Sequence, residues 1–374
     1  MSKKMNGSAI YVTKPYLPPL EEVVQKLSYI WATRIVTNNG YYHQELESRL
    51  ADYLNVKNVI LFNNATIALM VGLKALDISG EVITTPYSFV ATTHSLSWNN
   101  ITPVFCDIKR GNLSLDPAAI RAAITHKTQA IMPVHCYGLP SAVEEIKSIA
   151  EEFGLRVIYD AAHAFGIKNQ QTSILNHGDL SILSFHGTKV FNSFEGGAII
   201  CHDDSIKHKI MRIRSFGFLD ETTINEVGLN GKMSEFNAAL GLSQLDHMEE
   251  IIGKRRAVDR LYRRELNQIS GIECIPQSLE YNSNYGYFPI LIDEHYGLTR
   301  DQLYEALKAQ NIHSRRYFYP LISEFPLYRG LESSRPQNLP IASKIAQQVL
   351  CLPIYPDLAV EDQQRIITVI KQGI

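Results

Sequence analysis

The sequence has little of what would commit it to a membrane, a nucleic acid or an oxidising compartment. No apolar run approaches the roughly 18 consecutive residues that a bilayer-spanning helix needs. Met1–Ile10 carries lysine but no apolar core of signal-peptide length. No Lys/Arg block or basic stripe stands out, and 36 basic against 38 acidic residues leave a formal net charge of -2. A polyanionic partner would leave a basic footprint, so that class of function starts low. Cysteine is sparse as well: five residues, odd in number and widely spaced, as expected for reduced, buried thiols and not for a small secreted disulfide scaffold. His135-Cys136 and Cys201-His202 are Cys/His neighbours, yet adjacent residues on a strand face opposite ways, and neither belongs to a four-ligand spacing. No metal site is expected. Internal repeats and low-complexity stretches are also missing, and the cytoplasm is the simplest location.

What is present is an ordinary folded composition, 45% apolar and 20% charged. At 374 residues the chain exceeds the size at which one core usually stops growing, so two domains are expected. Short β-branched runs recur at 56–62, 81–85, 103–108, 130–134, 156–159, 180–185 and 198–201. Most are apolar at consecutive positions, as strands covered on both faces are. Amphipathic stretches separate them, including Ser141 to Phe153, whose Ser141 and Glu144 have capping-box spacing. The alternation predicts an α/β fold with a mainly parallel, seven-stranded sheet, and ligands in such folds bind beyond the carboxyl ends of the strands. From Leu242 to Leu266 the apolar spacing is helical. It reads as one long helix joining a large domain, 1–255, to a smaller α+β domain, 256–374. Within it Lys254-Arg255-Arg256 reads as a solvated face, and the proline-rich stretches around Pro15–Pro19 and Pro353–Pro356 read as surface loops.

Asp160 closes the apolar run 155–160. A carboxylate at the end of a buried strand is costly unless something cationic meets it, although a lone Asp there is often just a cap. The next strand delivers Ser184-Phe185-His186-Gly187-Thr188-Lys189 and then Glu195-Gly196-Gly197. Taken together, these suit pyridoxal phosphate, which needs a Schiff-base lysine and an acidic partner for its ring nitrogen. Asn63-Asn64-Ala65-Thr66 ends the first strand and opens a helix at Ile67 to Leu76. Free N–H groups and a hydroxyl at such a junction bind dianions well, and Ser184 adds a second hydroxyl. Arg315, Arg316, Tyr317 and Tyr319 cluster in one run, offering guanidinium forks and aromatic faces for a diphosphate and a stacked ring, or else an ordinary exposed strand.

The Ser184–Lys189 run, Glu195-Gly196-Gly197, Asp160-Ala161-Ala162-His163 and Asn230-Gly231-Lys232-Met233-Ser234-Glu235 together resemble the signature of the DegT/StrS-type sugar aminotransferases. Pro133–Gly138, Tyr319-Pro320-Leu321 and Leu352-Pro353 extend the likeness over nearly the whole chain. It implies a fold-type-I homodimer with pyridoxal 5'-phosphate at the subunit interface. It also implies that Lys189 carries the cofactor and moves the proton, and that Asp160 pairs with the ring nitrogen. His163 would approach the ring hydroxyl, and Ala65, Thr66 and Ser184 would hold the phosphate. Phe89 would stack on the ring, or else be a core aromatic. Asn230 would reach in from the partner subunit, and His186, Arg316 and Tyr317 would face the substrate. Three positions depart from the usual pattern: Ala65 for glycine, His163 for glutamine and Lys232 for arginine. Lys189 in place of histidine favours amino transfer over dehydration. The implied reaction uses glutamate to aminate a nucleotide-linked keto-6-deoxysugar, foremost dTDP-4-keto-6-deoxyglucose at carbon 4 for a surface polysaccharide. The alternatives are attack at carbon 3 of a dTDP-3-keto-6-deoxyhexose, or a non-catalytic cofactor-binding sensor or scaffold.

Overall fold

The apolar runs become strands whose alternate residues feed two different cores. The computed structural model describes residues 8–373, so the reading of Met1–Ile10 falls mostly outside it. The strands are β1 (Asn58–Phe62), β2 (Glu81–Thr84), β3 (Thr102–Phe105), β4 (Thr128–Met132), β5 (Arg156–Asp160), β6 (Leu180–Ser184) and β7 (Gly197–Cys201). They form one sheet in the order β1-β7-β6-β5-β4-β2-β3. Val59, Leu61, Leu183 and Ile200 point into one core, and Ile60, Phe62, Ile182 and Ile199 into the other, as the period of two requires. The helix Ala65–Ala75 covers the second face with Leu69 and Val71. Helices Val143–Phe153 and Glu235–Asp246 cover the first.

β7 pairs antiparallel with both β1 and β6, while the other neighbours pair in parallel. Six strands therefore run one way and β7 alone runs back. This topology places the carboxyl ends of β1 and β6 beside the first residue of β7, Gly197, with the end of β5 one strand further on.

A second, antiparallel sheet comprises β8 (Ile272–Cys274), β9 (Phe288–Ile292) and β10 (Val349–Leu352), with β9 in the middle. Helices Arg300–Ala309 and Val360–Lys371 pack on it with Leu303, Leu307, Ile366 and Ile370. A further cluster joins Tyr87, Val134 and Tyr137 to Leu291, Phe318 and Cys351. That shared core presses the smaller sheet against the carboxyl end of the large one.

Four expectations need correction. Ser141 does not cap the helix it precedes. The helix starts at Val143, and the Ser141 hydroxyl instead meets Ser114 Oγ at 2.6 Å and donates to the Val134 carbonyl. A buried strand-end carbonyl without a donor costs more than an uncapped surface helix. The long helix is two, Glu235–Asp246 and Met248–Leu266, broken at His247, whose Nε2 lies 3.1 Å from a Glu22 carboxylate. Arg255 is no part of a solvated face: it is 2% exposed and donates to the carbonyls of Tyr285 and Ile354. Pro15 and Pro19 are exposed, whereas Pro18, Pro353 and Pro356 are buried. The five cysteines are free and buried. No helix among the described residues is long and apolar enough to cross a membrane.

His135 sits wholly inside this packing, stacked on Tyr159 at 4.7 Å, with its Nδ1 accepting the Ser141 N–H. Burial, followed by nearby His177, pulls its pKa from 6.5 to about 3. The unfolded chain therefore takes up this proton first, and stability is lost as pH falls from about 6.5 toward 3. The loss reaches about 2 kcal/mol at pH 5. The drop in denaturant-unfolding free energy between pH 7.5 and 5 is expected to shrink by about that amount in His135→Gln.

Candidate active site

Asp160 is the last residue of β5 and is 5% exposed. Its Oδ2 accepts the Thr92 hydroxyl at 2.7 Å and its Oδ1 accepts the Ala162 N–H at 3.1 Å. Since Thr92 spends its proton on the carboxylate, Ser88, 2.7 Å away, must donate to Thr92. Burial pushes the Asp160 carboxyl up, opposed by Thr92, the Ala162 N–H and the charge on Lys189. Both hydrogen bonds come from uncharged donors, so this carboxylate still has the capacity for a cationic N–H.

After β6 the chain turns at His186, and Lys189 N–H closes the turn on the His186 carbonyl at 2.8 Å. Lys189 lines the same cavity as Asp160. Burial brings its amine down to about 8, with Asp160, Tyr317 and Cys136 opposing. Its Nζ donates to the Tyr287 hydroxyl at 3.2 Å. That hydroxyl lies 3.1 Å from His163 Nε2, while His163 Nδ1 accepts the Tyr137 N–H at 3.0 Å. With Nδ1 occupied as an acceptor, and with burial and then Lys189 pulling its pKa far down, His163 is neutral and carries its proton on Nε2.

At the end of β1, Asn64 caps the helix Ala65–Ala75 by accepting the Ile67 N–H at 2.9 Å. The N–H groups of Ala65 and Thr66 have no acceptor within the helix, and both residues line the cavity that Ser184 shares. Gly197 pairs with both Phe62 and Ser184. A Cβ there would stand 2.6 Å from the Ala65 nitrogen, so only glycine lets β7 approach the helix start this closely. Ala65 is not among the residues with positive φ, and its methyl group in place of glycine adds no strain.

Ala65, Thr66, Phe89, Asp160, His163, Ser184, His186, Lys189 and Tyr317 therefore come together around one cavity of about 280 Å³. Phe89 is 61% exposed, which removes the core-aromatic reading. His186 is exposed, with Nδ1 2.8 Å from Thr188 Oγ1 and Nε2 3.7 Å from Glu195. Arg316 does not join them. It forms an ion pair with Asp301 at 2.7 Å and lies over the rings of Tyr304 and Tyr319, because adjacent residues on an extended chain diverge. That clasp takes it out of the expected substrate contacts. Asn230 is exposed and lies outside this cavity. Lys232, in the place of the usual arginine, rests its Nζ over the Phe216 ring at 5.0 Å. Sequence reasoning missed Ser88, Thr92, Tyr287 and Phe318, which also line the cavity or hold its carboxylate. No local motif marks them.

A buried acid with spare acceptor capacity, an amine poised near neutrality and an anion-binding helix start suit a phosphorylated, cationic heteroaromatic aldehyde. This donor set defines a pyridoxal-phosphate enzyme. The chain matches the DegT/DnrJ/EryC1/StrS aminotransferase family over residues 20–371 and belongs to it; it is an aminotransferase, and pyridoxal phosphate is its cofactor. It is 53% identical over 355 residues, 95% of this chain and 96% of the relative, to a dTDP-4-amino-4,6-dideoxy-D-glucose transaminase of Escherichia coli. The Shigella dysenteriae protein of the same name is 51% identical over 363 residues, covering 97% and 98% of the two chains. The fold superimposes on DesI, solved in the presence of its TDP-sugar product, with a TM-score of 0.94 at 33% identity over 99% of this chain and 94% of that one.

Removing the Thr92 hydroxyl leaves a buried carboxylate oxygen short of a donor. A hydrogen bond to a charged group contributes about 1.5–3 kcal/mol. Thr92→Val is thus expected to weaken pyridoxal-phosphate binding by about tenfold or more, read by equilibrium titration of the visible absorption band.

Proposed function

We propose that this chain transfers the amino group of glutamate to carbon 4 of dTDP-4-keto-6-deoxy-D-glucose, giving dTDP-4-amino-4,6-dideoxy-D-glucose. It would work as a cytoplasmic homodimer that supplies a surface polysaccharide. The observation that carries the reading is that Asp160 and Lys189 open into one cavity in a chain more than half identical to transaminases named for that sugar. A pure scaffold needs neither side chain. Residues 1–255 form the cofactor-binding domain in this reading, and 256–374 the small domain that supplies Tyr287 and Tyr317.

When bound, pyridoxal phosphate supplies an electron sink for the carbon that loses its proton. The residues around it divide the remaining work. Ala65, Thr66 and Ser184 bind the phosphate with N–H and hydroxyl donors. Phe89, at the cavity wall, would offer its face to the ring. Asp160, kept ionised by Thr92 and Ala162, holds the proton on the ring nitrogen, and His163 would stand beside the ring hydroxyl while its Nε2–H stays on Tyr287. The Lys189 amine, brought to about 8 by burial, holds and delivers the proton close to working pH, where general acid–base catalysis is most effective. His186 and Tyr317 face the sugar.

The dimer is supported by apolar side chains left in solvent. Leu20, Val24 and Trp31 lie on the helix Leu20–Thr33, and Phe216, Leu219 and Ile224 on the segment leading to Asn230. Such clustering on a water-facing surface is the usual mark of a partner. Burying that segment against a second subunit is how Asn230 would reach the partner's phosphate.

Incubation with glutamate and dTDP-4-keto-6-deoxy-D-glucose, followed by NMR of the product, is expected to show nitrogen on carbon 4. Exclusive amination at carbon 3 of a 3-keto isomer would replace this reading. Lys189→Ala is expected to lower turnover by about 10²–10⁴-fold or more, and multiple turnover at the normal rate would remove the lysine from the reaction.

A further inference from the structure

Tyr287 stands immediately before β9, in the smaller sheet, yet its hydroxyl reaches the reacting amine on the large one. We propose that Tyr287 is a catalytic residue whose phenol is the proton partner of Lys189, accepting a hydrogen bond from the ammonium form and donating one to the amine. The inference rests on the reading of Lys189 as the reacting group.

The argument is one of hydrogen-bond supply. His163 Nδ1 is engaged by the Tyr137 N–H at 3.0 Å, so the imidazole proton is on Nε2 and points at the Tyr287 oxygen 3.1 Å away. Accepting that proton occupies one acceptor position of the phenol and fixes its orientation; the rings of His163 and Tyr287 are 4.4 Å apart, centroid to centroid. One further acceptor position and the phenol's own proton remain, and Lys189 Nζ lies 3.2 Å from the oxygen. A protonated Nζ donates to the free lone pair, and a neutral Nζ takes the phenolic proton as a hydrogen bond. No covalent bond changes and the phenol keeps its proton in both states. A carboxylate in this place would favour only the ammonium, and a leucine would serve neither form.

The surroundings keep the phenol in that role. Asp160, Tyr317, Cys136 and His163 are the titratable groups that act on Lys189; Cys351, Cys136, Arg255 and Asp160 act on Tyr287. Burial pushes the Tyr287 phenol well above its ordinary range, Cys351, Cys136 and Asp160 push the same way, and of these groups Arg255 alone opposes, so the phenol stays protonated while the lysine titrates.

Charge-assisted hydrogen bonds are roughly twice as strong as neutral ones. Losing the phenol therefore costs the ammonium more than the amine, and Tyr287→Phe is expected to move the Lys189 pKa down from about 8 by about one unit. The measurement is a carbon-13 NMR titration of full-length protein freed of cofactor and labelled at the lysine ε-carbon. The Lys189 signal is assigned by its loss in Lys189→Met. In the reconstituted enzyme the same variant is expected to lower kcat while leaving KM for glutamate close to its original value. Should Tyr287→Phe fail to fold, 3-fluorotyrosine at position 287, a weaker acceptor and better donor of the same shape, is expected to shift the lysine in the same direction by a smaller amount. A Lys189 titration that is unchanged or moves upward in the folded variant, or that does not move with the fluorinated residue, overturns the role of Tyr287. That result leaves Lys189 itself untouched, whereas full turnover by Lys189→Ala would overturn the reading of the lysine instead.

Discussion

A carboxylate held at the end of a buried strand sets the terms for everything around it. Asp160 closes β5 with almost no solvent contact, and an ionised acid in that position costs several kcal/mol unless donors meet both oxygens. Thr92 and the Ala162 backbone meet them, but neither brings charge. The charge on Lys189 meets part of the deficit from the cavity side, and a cationic ligand ring would meet the rest. The same burial that penalises Asp160 pulls the lysine toward its neutral form. One apolar enclosure thus prepares an acid to hold a proton and an amine to move one.

The sheet topology supplies the geometry. Because β7 alone runs backward between β1 and β6, its glycine start is pinned between the strand that ends at Phe62 and the strand that ends at Ser184. Close approach of Gly197 to Ala65 fixes the helix start whose free N–H groups suit an anion. The smaller sheet then closes the cavity from the other side. The cluster of Tyr87, Tyr137, Phe318 and Cys351 locks β9 and the segment around Tyr317 in place, so Tyr287 and Tyr317 arrive beside a lysine from a distant part of the chain. Tyr137 has a double function here, packing in that cluster and fixing the His163 tautomer through its backbone N–H.

The seven strands were legible because strands covered on both faces leave unbroken apolar runs, Asp160 and Ser184 because each ends such a run, and Lys189 because it lies in the turn just beyond one. The misreadings have a common cause. Ser141, Arg255 and Arg316 each carry the local pattern of a familiar surface role, a cap, a solvated face and a phosphate fork. Each side chain is instead taken by a partner outside its local pattern: the Val134 carbonyl, the Ile354 carbonyl and Asp301. His247 breaks a helix that its apolar spacing would carry through. Periodicity records which face is apolar, not where the backbone departs from helical angles.

Short-range information in this chain, hydrophobic period together with a handful of polar residues at strand ends, determined the layered α/β fold, the acid, the amine and the anion-binding turn. These features are legible because each depends on neighbours within a few residues. Only the folded chain decided that Thr92 would sustain the acid, that Tyr287 would stand between His163 and Lys189, and that Arg316 would be diverted to Asp301. Those contacts join segments separated by 68, 124, 98 and 15 residues. The two Tyr287 contacts are set by packing two sheets against each other and the others by packing within one domain, and no local pattern in the sequence carries them.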